Sequence, residues 1–161
     1  MTTSEYNHCV HEWADSLYRF AFKSTGCSEN GKDVAQHAFS VLWEKRLEVL
    51  PDKAKSFLFT VAYRKCMDYH RLKKRTIVTN DIHENFLSEQ PKNNDLKYIL
   101  QTALGKLDEQ SRNLILLKDY EGYSYEEIAK LTNLNETQVK VYLHRARKVL
   151  KNYLVHKDFI L

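Results

Sequence analysis

The residues best suited to chemistry lie near the C-terminus, where their types and spacing suit phosphate binding. Between Glu136 and Asp158 there is no acidic residue. One helical face, at positions i, i+1, i+4, i+5 and i+8, combines basic side chains with one valine: Lys140, Val141, His144, Arg145 and Lys148. In a major groove, such cations hold phosphates or base edges, and the valine contacts a thymine methyl group. The alternative is a solvated charged face, although such faces usually mix both signs.

Two short helices joined by a turn must position this face. Ser124 with Glu127 and Asn135 with Gln138 have the spacing of capping boxes, so each pair predicts a helix start. The second helix carries an apolar stripe at i, i+4 and i+7 spacing, formed by Val139, Leu143, Ala146, Leu150 and Tyr153. These are the dimensions of a helix-turn-helix.

Upstream of this pair, the sequence predicts two more helices. Leu96, Ile99, Leu100, Ala103 and Leu107 form the apolar stripe of the first. Asp108 is the predicted N-cap of the next, and Gly122 is placed to end it with a positive φ.

Composition favours long helices throughout. Only four glycines and two prolines occur in 161 residues, so tight turns must be few. This excludes all-β sandwiches, collagen-like chains and Pro/Gly-rich disorder. The hydrophobic content of 43% allows each half a small core, and the net charge of +4 is mildly basic. We therefore expect an all-α protein of two small helical domains joined by a linker, the C-terminal one being the helix-turn-helix.

The first half, residues 1–76, predicts three helices. A break at Gly26 and residues 28–31 separates the first two, and Pro51 precedes the third. The third has a predicted core stripe of Phe57, Leu58, Val61 and Ala62 and ends in the basic cluster Arg71, Lys73, Lys74 and Arg75. Trp13 and Trp43 are also predicted to be core residues.

Residues 77–94 are predicted to be a linker, since their periodicity is weak and their composition is polar. Asp81, Glu84 and Glu89 outweigh the single cation Lys92. The second domain then spans residues 95–161.

No enzymatic or metal chemistry is indicated. The sequence has no glycine-rich phosphate loop, GxSxG or HExxH motif. His8, Cys9 and His11 lack the second ligand pair of a metal site. The three cysteines lack CxxC spacing, and no signal peptide or membrane-length apolar run is visible. We expect a cytoplasmic protein with free thiols, no cofactor and no membrane insertion.

Both halves resemble one family. Residues 120–129, with Val139-Lys140 and residues 143–147, resemble region 4 of the extracytoplasmic-function (ECF) sigma factors, and the string SYEEIA…VKVYLHRAR carries the resemblance. Residues 107–117 resemble a preceding helix of that family, with Asp108 where proline is usual. Residues 17–21, Gly26, residues 33–36 and Phe39 resemble regions 2.1–2.2, and residues 57–68 resemble regions 2.3–2.4.

The resemblance implies a factor, monomeric when free, that binds core RNA polymerase and directs promoter-specific transcription initiation. It implies polymerase contacts for Asp33, Gln36 and Phe39. It also implies that the opened minus-ten strand is held by Phe57, Phe59, Tyr63, Arg64, Arg71, Lys74 and Arg75. In such sites aromatic faces stack on unpaired bases while cations follow the backbone.

For the second half, the resemblance implies contact with duplex DNA at the minus-thirty-five element. The implied contacts are Lys118, Thr137, Lys140, Val141, His144, Arg145 and Lys148. The acidic linker matches the segment that threads the RNA exit path of polymerase, where negative charge mimics nucleic acid. An anti-sigma factor, membrane-linked or soluble, is a further expected partner.

Besides Asp108, four residues depart from the family pattern. His37 replaces an acidic residue, Arg64 a frequent asparagine and Tyr142 a basic residue. Asn133 stands where glycine is common in the turn, although asparagine tolerates left-handed geometry. Promoter sequence is therefore the least transferable inference.

Several alternatives stay open on the sequence. By pattern alone, Phe59 and Tyr63 fit a core role and a base-stacking role equally. Asp33 also fits a helix cap, and the basic cluster at residues 73–75 also fits a charged helix end. Two other classes of protein have the same features: a DNA-binding regulator that acts without polymerase, and a module whose basic face binds an acidic protein.

Overall fold

The computed structural model describes residues 1–80 and 96–156. The chain divides into two compact units, Met1–Asp81 and Ile82–Leu161. The described residues are mostly helical and include no strand. The predicted fold class, two helical bodies without sheet, is confirmed.

The first unit contains three helices that pack against one another. They are α1 (Thr3–Thr25), α2 (Ser28–Glu44) and α3 (Ala54–Asn80), and a short 3₁₀ turn, Pro51–Lys53, leads into α3. Each helix contributes large apolar side chains to one core, which includes Leu17, Phe20, Val34, Leu42, Leu58 and Phe59.

The junction between α1 and α2 is tighter than predicted. Gly26 ends α1 in the left-handed region at φ 73°, and α2 begins only two residues later. The predicted break over residues 28–31 is therefore wrong, because these residues are already helical. A Cβ at Gly31 would lie 3.0 Å from the backbone nitrogen of Phe22, so glycine allows the two helices to approach closely here. Asp33 lies inside α2, so it is not a cap.

The buried face of α3 also differs from the predicted stripe. Leu58, Phe59, Ala62, Tyr63 and Cys66 are buried. Phe57 and Val61, both predicted to be core, are only half-buried.

The tryptophans do not fill the core as predicted. Trp43 is 38% exposed and Trp13 is half-buried. Helix α3 also continues to Asn80, into the segment predicted as linker. The rest of that segment, residues 81–94, lies outside the described residues, so the boundaries of the linker stay predictions.

In the second unit, residues 96–156 form four helices. They are α4 (Leu96–Gly105), α5 (Glu109–Ile115), α6 (Tyr125–Thr132) and α7 (Glu136–His156), and a π-helical turn, Leu116–Tyr120, extends α5. Its core includes Leu114, Leu117, Ile128, Leu131, Val139, Leu143 and Ala146. The N-cap predicted at Asp108 is confirmed, since its Oδ1 accepts from the Ser111 N–H at 2.7 Å. Leu96, by contrast, is exposed.

A buried arginine joins α5 to the end of α4. Arg112 is only 5% exposed. Its Nε donates to the Leu104 carbonyl at 3.0 Å, and its Nη2 donates to the Leu107 carbonyl at 2.9 Å. The Leu104 carbonyl also accepts from the Leu107 N–H at 3.1 Å, so the arginine matters most for the Leu107 carbonyl, which burial would otherwise leave without this donor.

Within the part of the chain that the structure describes, no helix combines the length and hydropathy that crossing a bilayer requires.

Candidate nucleic-acid interface

Side-chain caps fix the turn between α6 and α7. The Glu127 N–H donates to Ser124 Oγ at 3.1 Å, and the Ser124 hydroxyl in turn donates to the Glu127 carboxylate. At the next helix start, Asn135 and Gln138 form the predicted reciprocal pair, at 2.8 and 3.0 Å. Asn133 ends α6 in the left-handed region at φ 60° and ψ 34°, which confirms the expected tolerance of asparagine there. The entry angle of α7 is thus set by three local motifs.

The predicted face of α7 is exposed. Its buried side is formed by Val139, Leu143 and Ala146. The opposite side, here called the cationic face of α7, presents five exposed side chains: Lys140, Val141, His144, Arg145 and Lys148. Thr137, one turn earlier, is also exposed. Arg145 and Lys148 have no acidic partner among the described residues, so their charge is available to a ligand.

Tyr125, the first residue of α6, gathers cations from two other elements. The Lys118 Nζ lies 4.7 Å from the centroid of its ring, and the Lys140 Nζ lies 5.4 Å from it. Lys118 belongs to the π-helical turn, whereas Lys140 belongs to α7. The ring therefore connects two predicted DNA-binding residues that are 22 positions apart in the sequence.

An ion pair ties the same turn to α7. The Arg147 Nη2 lies 2.9 Å from Asp119 Oδ1. The hydrogen bond with Asp119 raises the pKa of Arg147 above its ordinary value despite partial desolvation. Arg147 is therefore a structural cation, unlike its neighbours on the cationic face.

In the first unit, the outward side of α3 combines an aromatic ring with cations. Phe57 is half-buried, and Arg64, Arg71, Lys74 and Arg75 are exposed. The spacing of Phe57, Arg64, Arg71 and Arg75 places them along one side of the helix, here called the open face of α3. Asp68 lies on the same face and pairs with Arg71 at 2.8 Å.

Phe59 and Tyr63 do not belong to this open face. Phe59 is 0% exposed and Tyr63 is 7% exposed. As placed, neither ring has a side open to a base, so the structure favours the core interpretation over the stacking interpretation. Because α3 is apolar over most of its first turns, the sequence pattern alone left both faces possible.

The predicted polymerase contacts lie along α2. Asp33 and Gln36 are exposed, and Phe39 is partly exposed. The Phe39 carbonyl accepts a hydrogen bond from the Tyr6 hydroxyl at 3.0 Å, which ties α2 to the start of α1.

Sequence reasoning missed an apolar patch that follows α2. Trp43 packs edge-on against Tyr6, with 4.9 Å between ring centroids, and Arg46 covers it at 3.9 Å. Leu47 and Leu50 beyond it are 83% and 63% exposed. The signal available in the sequence was a tryptophan-leucine cluster just ahead of Pro51.

The histidine and cysteine residues near the N-terminus have different surroundings. His8 Nε2 lies 3.3 Å from a carboxylate oxygen of Glu12, and Cys9 is buried. Within residues 1–80 and 96–156, no cluster of three metal-ligating side chains is present. Cys9, Cys27 and Cys66 are all in the thiol form.

Comparison with known proteins places both units in one family. Residues 9–76 match the family model of sigma-70 region 2, and residues 97–150 match that of sigma-70 region 4. The RNA polymerase sigma factor SigV of Bacillus subtilis is 27% identical over 151 residues, which cover 93% of this chain and 91% of SigV. The ECF RNA polymerase sigma factor SigL of Mycobacterium tuberculosis is 28% identical over 148 residues, which cover 87% of this chain and 83% of SigL.

Solved structures show the same fold. The sigma factor RpoE of Bartonella quintana, in complex with the anti-sigma factor NepR, matches with a TM-score of 0.81 at 22% identity, over 94% of this chain and 98% of that one. CnrH, in complex with the cytosolic domain of CnrY, matches with a TM-score of 0.68 at 24% identity. The match covers 95% of this chain and 88% of CnrH.

Proposed function

This chain belongs to the ECF sigma factors of the sigma-70 family, and from that membership we propose how its two helical units share promoter recognition. As a sigma factor it binds core RNA polymerase and directs promoter-specific transcription initiation. We propose that α7 binds the minus-thirty-five element, α3 binds the opened minus-ten strand and α2 binds the polymerase.

The cationic face of α7 carries the proposal for duplex DNA. Cations on the exposed side of a capped helix-turn-helix bind phosphates and base edges when the helix enters a major groove. Arg145 and Lys148 are exposed and unpaired with acids among the described residues, and the sequence from Thr137 to Lys157 contains no acid that would repel DNA. Thr137 and Lys118 complete the proposed contact set.

The open face of α3 is the proposed site for the melted strand. A half-exposed aromatic ring followed by exposed arginines is the arrangement by which proteins stack bases and follow a single-stranded backbone. Phe57 supplies the ring, and Arg64, Arg71 and Arg75 supply the charge, while the exposed Lys74 lies beside this face. Asp68 lowers the net charge at the middle of this face, where it pairs with Arg71.

Core polymerase is the proposed partner of the exposed side of α2. Asp33, Gln36 and Phe39 remain its candidate contacts, and the apolar patch at Trp43, Leu47 and Leu50 extends the same end of the unit. Exposed aromatic and aliphatic side chains beside polar ones are typical of protein interfaces. We place this patch in the polymerase interface because it adjoins the carbonyl of Phe39 through Tyr6.

An anti-sigma factor is proposed as an inhibitory partner. The sigma factor RpoE, which has a similar fold, was solved with the anti-sigma factor NepR, and CnrH was solved with the cytosolic domain of CnrY. Affinity purification of this chain from its native host should recover a protein that suppresses transcription when it is added back. Recovery of no such protein under any growth condition would contradict this part of the proposal.

Run-off transcription with core polymerase on genomic fragments, with mapped start sites, tests the function as a whole. Arg145→Glu should lower promoter-specific transcript yield at least about tenfold, because it reverses a charge on the cationic face. Lys106→Glu is the matched control, since Lys106 lies near Tyr153 and away from that face. Both variants should still co-elute with core polymerase.

Two outcomes would overturn the assignment. An unchanged transcript yield from Arg145→Glu would remove α7 as the recognition helix. Specific retardation of a promoter fragment by the chain alone, with no effect on where polymerase starts, would favour a regulator that acts without polymerase.

A further inference from the structure

We propose that Tyr125 is a positioning residue for DNA binding, whose ring holds the ammonium groups of Lys118 and Lys140 together as one phosphate-binding unit. The inference rests on the proposed function of α7 and adds to it a residue that does not itself need to touch DNA. Tyr125 lies at the start of α6, directly after the N-cap Ser124.

The distances support a shared role for the two lysines. Their Nζ atoms lie 4.7 and 5.4 Å from the same ring centroid, although one belongs to the π-helical turn and the other to α7. Two ammonium groups that share one ring repel each other. An aromatic ring offsets part of that repulsion, because its face carries negative quadrupole density that attracts cations.

The turn that carries Lys118 is itself fixed to α7. The Arg147 Nη2 donates to Asp119 Oδ1 at 2.9 Å, and Asp119 directly follows Lys118 in the π-helical turn. This ion pair therefore holds the backbone that carries Lys118 against the helix that carries Lys140.

Neither lysine is neutralised by an acid in the described part of the chain. Lys118 and Lys140 have no carboxylate within salt-bridge distance there, whereas Lys130 pairs with Glu126 at 3.3 Å and Arg147 with Asp119 at 2.9 Å. The two lysines on Tyr125 thus keep their full charge while losing conformational freedom. Pre-ordered cations lose less entropy on binding a phosphate than free lysine side chains do.

The test uses the full chain with core polymerase and a promoter fragment whose start site has been mapped by run-off transcription. Tyr125→Leu removes the ring, and Tyr125→Phe keeps it. Because the ring attracts both ammonium groups, Tyr125→Leu should weaken promoter binding about fivefold or more, whereas Tyr125→Phe should stay within about twofold of the wild-type affinity. The slope of log K against log salt should become shallower by about one for Tyr125→Leu only, since the two lysines no longer bind phosphate as a unit.

Arg145→Glu, measured in the same assay, distinguishes failure of the proposed DNA binding by α7 from failure of the positioning role of Tyr125. If Arg145→Glu binds as wild type, the proposed function of α7 fails. If Arg145→Glu loses binding while Tyr125→Leu keeps both the wild-type affinity and the wild-type salt slope, only the positioning role is overturned.

A second set of variants covers the case in which Tyr125→Leu unfolds. Lys118→Gln, Lys140→Gln and the double variant leave the ring in place. If the lysines act as a unit, the loss of affinity in the double variant should be smaller than the product of the two single losses. Independent, multiplicative losses would overturn the inference.

Discussion

The rings of Phe20 and Phe59 meet edge to face in the core of the first unit, 5.5 Å apart between centroids and at 70° between planes. Both side chains are buried, and they join α1 to α3. Edge-to-face pairs of this kind contribute stability beyond the area that they bury. Phe59 is therefore a core residue, and its removal should lower the stability of the first unit.

Phe59→Ala should destabilise the first unit by about 3–5 kcal/mol, because it leaves a cavity against Phe20. Both tryptophans of the chain, Trp13 and Trp43, lie in this unit, so tryptophan fluorescence during urea unfolding reports on it selectively. A midpoint equal to that of the wild type would contradict the core assignment.

Phe57→Ala should impair promoter opening while changing the stability of the first unit little. Phe57 is half-buried on the open face of α3, so its loss should cost no more than about 1 kcal/mol of stability. Promoter opening should suffer, because base–aromatic stacking contributes about 1–3 kcal/mol per base. Permanganate reactivity of the minus-ten thymines in the holoenzyme complex measures this, and normal reactivity would exclude Phe57 as a stacking residue.

Arg112→Met should destabilise the second unit without affecting the first. It leaves the Leu107 carbonyl without its arginine donor, at about 1–3 kcal/mol for a buried unsatisfied group, whereas the Leu104 carbonyl still accepts from the Leu107 N–H. Circular dichroism during thermal unfolding should show an earlier loss of helix, while tryptophan fluorescence keeps the wild-type midpoint. Arg112→Lys is the control and should recover only part of the loss, since one ammonium group lacks the planar fork of arginine.

Asn133 should tolerate glycine and reject branched side chains. At φ 60° the backbone lies in the left-handed region, where a β-branched residue is strained. Asn133→Gly should leave thermal stability nearly unchanged, and Asn133→Val should lower it by about 1–2 kcal/mol. Equal melting temperatures for the two variants would argue against the observed turn.

The three thiols should react at different rates in the native protein. Cys9 and Cys66 are buried, whereas Cys27 is partly exposed. Ellman's reagent should therefore modify one thiol quickly and the remaining two only on unfolding, and Cys27→Ala should abolish the fast phase. A fast phase that survives this substitution would contradict the burial of the other two.

The pKa of the Cys9 thiol also makes the stability of the first unit depend on pH. Burial, with the nearby carboxylates of Glu12 and Glu5, raises the pKa of the Cys9 thiol. The folded state therefore favours the protonated thiol. The resulting stability is present below the ordinary thiol pKa and is lost as pH rises through the higher pKa of the folded state.

The sequence alone determined the second half of this protein in considerable detail. Helix α7 has one narrow apolar stripe, so only one orientation buries Val139, Leu143 and Ala146, and that orientation exposes Lys140, Arg145 and Lys148. The caps at Ser124 and Asn135 act over three residues, which is why local sequence was sufficient to predict them. The all-helical class followed from the scarcity of glycine and proline, and the division into two domains followed from the weak periodicity of residues 77–94.

Tertiary structure alone decided which side of α3 faces the core. Aromatic and aliphatic residues run almost continuously from Phe57 to Tyr63, so several stripes satisfy helical periodicity, and packing against α1 and α2 selects Leu58, Phe59 and Tyr63. The same holds for Arg112 and Tyr125, whose partners come from other elements. Burial and long-range contact depend on neighbours distant in the chain, and a one-dimensional pattern does not contain them.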